Sequence, residues 1–125
     1  MDIAEQERFW RRSAREDWDV GRHLVEVGRV RHGLFFAHLA LEKVLKAHVC
    51  VRTRAIPPRY HNLVRLLELA EIDATDSQLD VLAEMNAFNI EGRYPDALSS
   101  PPSQSEAKEY LRRAEEAFEW LMTQS

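Results

Sequence analysis

The segment GLFFAHLALEKVLKAHVCV, residues 33–51, is apolar over most of a helical circumference. Leu34, Phe35, Phe36, Ala37, Leu39, Leu41, Val44, Leu45, Ala47 and Val49 leave no wide polar face. Such a helix is stable in water only when neighbours cover it on several sides. The rest of the chain must therefore supply helices or strands that pack around it. The segment TRAIPPR ends it, because neither proline can continue a helix.

The neighbours read as helices. From Ile3 to Val27, Trp10, Ala14, Trp18, Gly21, Leu24 and Val25 recur at spacings of three or four, which places them on one face. Gly28 is the expected stop. A short third helix carries Leu63, Leu66, Leu67 and Ala70, with Asn62 as its N-cap. A fourth carries Leu79, Leu82, Ala83, Met85 and Phe88, and extends toward Ile90, with Asp76 or Ser77 as cap. The fifth buries Tyr110, Leu111, Ala114, Ala117, Phe118 and Leu121; Ser103 or Ser105 caps it, and Ser103 with Glu106 fits a capping box. With few glycines and short connectors, the expected fold is all-α: an up-and-down four-helix bundle with an extra short helix, one domain over residues 1–125. Trp10, Trp18 and Trp120 lie on the terminal helices, where large rings close a bundle or mark a dimer face.

Composition narrows the function classes. The single Cys50 excludes an internal disulfide and a cysteine zinc site, and it reads as a buried structural thiol in a reducing compartment. No apolar run reaches the length of a membrane span, and MDIAEQERFWRR is too polar for a signal peptide, so a cytoplasmic location is expected. The five histidines form no metal spacing, and no glycine-rich phosphate loop is present, so neither a metal nor a cofactor is expected. Residues 1–60 hold 12 Lys/Arg against 8 Asp/Glu, and residues 61–125 hold 5 against 13. These opposite charges can meet across neighbouring helices or across a dimer.

Two groups of residues carry possible chemistry. His38, Glu42 and Lys46 form one line at four-residue spacing, with Lys43 beside it. In a helix this apolar, part of the line must be buried, and buried charges need partners. Asp17 on the first helix suits Lys43 or Lys46. The second group is NIEGRYPD, residues 89–96. Gly92 and Pro95 account for a helix stop, whereas Arg93, Tyr94 and Asp96 are left over as a binding or packing corner. Arg93 is suited to hold a phosphate or carboxylate.

Trp10, Ala14 and Asp17, then FFAHLALEKVLKA, then HNLVRLL, then RYPD, in that order along nearly the whole chain, resemble the small stand-alone HEPN domain proteins of bacteria and archaea. The resemblance implies a helical bundle that forms a homodimer and pairs with a minimal nucleotidyltransferase of the MNT type. It also implies nucleotide binding, or a place in a two-gene toxin–antitoxin module. Many HEPN relatives are metal-independent RNases with an arginine and a histidine separated by four to six residues. Here those positions after Arg93 are Leu98, Ser99 and Ser100, and no histidine follows His61. Cleavage by the family's route then lacks its proton carrier. The expected function is binding of a nucleotide, or of RNA, or of the nucleotidyltransferase partner, through Arg93, Tyr94, Asp96 and His61. Asp17, Glu42, Lys43 and Lys46 form the supporting network. The alternatives are an RNase with an atypical site and a purely structural dimer.

Overall fold

The computed structural model describes residues 2–89 and 101–124. Five helices are defined there: α1 (Ile3–Glu26), α2 (Val30–Thr53), α3 (Leu63–Ala70), α4 (Asp76–Met85) and α5 (Gln104–Thr123). The described residues contain no strand, and none of their helices is long and apolar enough to cross a membrane. The all-α bundle expected from periodicity is what forms. Arg93, Tyr94 and Asp96, the corner singled out in the sequence, lie outside the described residues.

α2 is the central element. It packs most extensively against α1, and also against α3 and α5. Leu34, Ala37, Ala40, Leu41, Val44, Leu45 and Ala47 are fully buried. Its start lies three residues earlier than the apolar run, at Val30, so Gly33 is inside the helix. There it meets Gly21 of α1. A Cβ on Gly33 would stand 2.5 Å from Val25 Cγ2 and 2.8 Å from Gly21 O, and one on Gly21 would stand 2.8 Å from Gly33 O. The two glycines therefore allow the backbones of α1 and α2 to touch. Gly28, at φ +88°, turns the chain between them.

Helix ends follow their local chemistry. Asn62 Oδ1 accepts from Arg65 N, and Ser103 forms the expected reciprocal box with Glu106. For α4, the expected Asp76 or Ser77 cap is replaced by Thr75. Thr75 Oγ1 accepts from Gln78 N, while Gln78 Oε1 accepts from Thr75 N. Two orphan donors are satisfied at once, which a lone Asp or Ser one or two residues later would not do. Longer polar side chains close other ends. Gln104 Nε2 donates to the carbonyls of Val25 and Glu26, and Arg11 donates to those of Met122 and Gln124. Trp18 is fully buried and stacks on Phe118 at 5.0 Å, so it closes the bundle; Trp10 and Trp120 are half-buried. Cys50 is buried, and burial pushes its thiol up, away from the reactive thiolate.

Buried His48 donates from Nε2 to Leu121 O at 2.7 Å. Burial pulls its pKa below the usual value; the bond to Leu121 opposes this, Arg11 adds to it and Glu7 opposes it. Above about pH 6.5, the ordinary histidine value, both native and unfolded chains hold the ring neutral. As pH falls through that value, the unfolded chain takes the proton first, so stability is lost until the lowered native value is reached. His48→Gln is expected to flatten this part of the stability profile, as measured by urea unfolding between pH 7 and 5. An unchanged slope would remove His48 as its source.

Candidate functional site

The site is organised by the return of the chain along α2. Arg54 adopts a left-handed conformation, φ 55°, and ends the helix. Pro57 and Pro58 then keep residues 54–61 out of a helix, and the buried Pro57 anchors them. From Thr53 back to Glu42, α2 covers roughly 17 Å at its ordinary rise. Eight extended residues can span roughly 26 Å, so this strap can bring His61 back over the middle of α2.

Four bonds fix it there. His61 Nδ1 is 3.0 Å from Glu42 Oε1, and His38 Nε2 donates to His61 O at 3.0 Å. Asn62, the next residue, accepts from Asn86 Nδ2 at 3.3 Å, while Asn86 Oδ1 accepts from Leu63 N at 2.8 Å. The end of α4 is thereby tied to the start of α3.

Glu42 is the hub. Its side chain is 6% exposed. Oε2 accepts from Lys46 Nζ at 2.9 Å, Oε1 takes His61, and His38 Nδ1 lies 3.8 Å from the same oxygen. Lys46 Nζ also stands 5.6 Å from the centre of the Trp10 ring, a cation–π contact that brings α1 to the network. A carboxylate at Nδ1 holds the proton on that nitrogen and leaves Nε2 as the working atom of the neutral ring. His61 Nε2 has no partner among the described residues, and its side chain is 45% exposed.

Lys43 belongs to a separate cluster. Its Nζ lies 2.7 Å from Asp17 Oδ2 and donates to Ser13 Oγ at 2.8 Å. The approach to Asp17 is an ion pair whose angle falls short of a hydrogen bond. The four supporting residues thus divide in two. Asp17 with Lys43 joins α1 to α2, and Glu42 with Lys46 holds His61. Ser13 and Trp10 complete these clusters, and sequence spacing alone gave no sign of either. Arg15 of α1 is used internally, paired with Glu119 at 2.8 Å and lying over Phe118. Among the described residues, no group of three or more His, Cys, Asp or Glu side chains is arranged to hold a metal ion.

No curated protein matches the chain in sequence. Two solved structures share its fold. TT1696 from Thermus thermophilus superposes with a TM-score of 0.77 at 23% identity, over 93% of this chain and 95% of that one. ST0689, an archaeal HEPN homologue, does so with a TM-score of 0.70 at 19% identity, over 92% of this chain and 93% of its own. At these identities the likeness is one of fold. The sequence itself matches the HEPN domain family model over residues 7–124, which takes in α2 to α5, all but the first four residues of α1, the strap and both charged clusters. The chain therefore belongs to the HEPN domain family.

Proposed function

We propose that this HEPN domain binds a nucleotide at the corner held by His61, with Arg93, Tyr94 and Asp96 as further contacts, and does not itself catalyse a reaction. In this reading it acts as a homodimer and as half of a two-gene, toxin–antitoxin-like module with an MNT-type nucleotidyltransferase. The observation that carries it is the half-exposed His61, fixed by a buried carboxylate and presenting a ring nitrogen without a partner among the described residues. Chain connection supports the other three. Asn86 bonds to Asn62 beside His61, and Arg93 follows seven residues later. Glu42, Lys46, Asp17 and Lys43 satisfy one another, so their role is to position.

Calorimetry with ATP, GTP and a short RNA tests it. A charge-assisted contact at Arg93 is worth roughly 1.5–3 kcal/mol and a neutral hydrogen bond accepted by His61 Nε2 roughly 0.5–1.5 kcal/mol, so Arg93→Ala should weaken binding at least about tenfold and His61→Ala by roughly two- to tenfold. If no ligand binds the unaltered protein, the nucleotide reading fails. Co-expression with the nucleotidyltransferase tests the pairing, and solution mass tests the dimer.

The Glu42–His61 pair also favours a second reading. A histidine oriented by a carboxylate is the arrangement a general base requires. As an atypical RNase the protein would cleave RNA in the presence of a chelator and lose that activity in His61→Ala. RNA left intact at high protein concentration removes this alternative.

A further inference from the structure

Residues 43–67 contain six lysines and arginines and no aspartate or glutamate. Within this stretch the strap and the first turn of α3 expose Arg59, Tyr60, His61 and Arg65 close together in sequence. Tyr60 is 44% exposed, although Pro57 on the same strap is buried. The Arg65 guanidinium stands 5.8 Å from the centre of the Tyr60 ring. The ring is thus presented to solvent and braced by a cation rather than packed into the core. Its backbone is held by the bond from His38 to the next carbonyl and by the Asn62 cap.

A fixed aromatic face among cations, in a stretch free of acids, matches the chemistry of a nucleic-acid single strand. Bases stack on the ring and phosphates meet the arginines. A duplex offers no free base face to such a ring. We propose that Tyr60, braced by Arg65, stacks an unpaired base of single-stranded RNA whose backbone passes Arg59 and His61. This rests on the nucleotide reading of the His61 corner and extends it from a nucleotide to a strand. Two carboxylates stand against it locally: buried Glu42 Oε1 lies 3.0 Å from His61 Nδ1, and Glu68 Oε2 lies 3.8 Å from Arg65 Nη1, where an arriving phosphate competes with it.

The test is fluorescence anisotropy of the full chain with labelled short oligouridylate and oligoadenylate, an RNA hairpin duplex and a polyglutamate peptide. Single strands should bind best. Tyr60→Ala should weaken them about ten- to a hundredfold, and Tyr60→Phe by no more than about threefold, since the stacking face is kept. Arg59→Ala should reduce the slope of log affinity against log salt by about 0.7. Glu68→Gln should tighten binding. Equal affinity for the duplex, indifference to Tyr60→Ala, or binding of polyglutamate in place of RNA each overturns the proposal; the last would make the patch a protein dock. If ATP binding needs His61 and Arg93 while oligonucleotides ignore Tyr60, the platform fails and the nucleotide reading stands. If oligonucleotides need Tyr60 but no ligand responds to His61→Ala, the nucleotide reading fails and the platform stands as a site of its own.

Discussion

Gly33→Ala is expected to destabilise the protein by about 2 kcal/mol, although alanine is the better helix former by about 1 kcal/mol. The added methyl would fall 2.5 Å from Val25 Cγ2 and 2.8 Å from both Gly21 O and Val25 N. Two of those three atoms are backbone, so no rotamer change relieves the contact. The helices must part, and the buried faces of Trp18, Leu34 and Ala37 would lose packing with them. The melting temperature should fall by roughly 6–10 °C for a chain of this size. Gly21→Ala meets Gly33 O and Ala37 N, at 2.8 and 2.9 Å, and should behave alike. The double variant should cost less than the sum of the two, because the first methyl has already opened the shared crossing. A Gly33→Ala protein as stable as the original would mean that α1 and α2 do not approach this closely.

That crossing also shows where sequence reasoning reaches and where it stops. The apolar circumference of α2 and the three-to-four spacing on α1 and α5 depend on local periodicity, so the helices and their buried faces could be read directly. A close glycine contact leaves no such mark: Gly21 sits on the apolar face like any small residue. Yet this contact sets the register of α1 on α2, and the register decides that Asp17 meets Lys43 and not Lys46. Spacing alone left both open because the two lysines share one side of the helix. The α4 cap was legible in principle, since Thr75 and Gln78 have capping-box spacing, but Asp76 and Ser77 are strong cap residues that obscure it. For the candidate site, Pro57 and Pro58 announced a break in the chain and not its direction. That His61 returns to Glu42 follows from the strap's tertiary path. Tyr60 could not be singled out, because exposure of an aromatic ring is a property of the folded chain.

Glu42→Leu should be the most damaging single substitution in the polar network, costing about 3–5 kcal/mol in urea unfolding. The carboxylate is buried, and it accepts from Lys46 at 2.9 Å and from His61 at 3.0 Å. Removing it leaves the Lys46 ammonium, only 9% exposed, with no carboxylate beside it and with the Trp10 ring as its remaining cation contact. Most of the loss therefore comes from the stranded cation and less from the missing bond. Glu42→Leu with Lys46→Met removes both charges and keeps apolar volume, so it should recover most of the stability. The pair of variants separates folding from function. In the recovered protein the strap is still tied through His38 to His61 O, but the imidazole has lost the carboxylate that orients it. Nucleotide affinity should then remain weakened, close to that of His61→Ala, although the fold is restored. Recovery of stability together with full affinity would show that Glu42 serves only to neutralise Lys46. A double variant as unstable as Glu42→Leu alone would show instead that the stranded lysine is not the source of the loss.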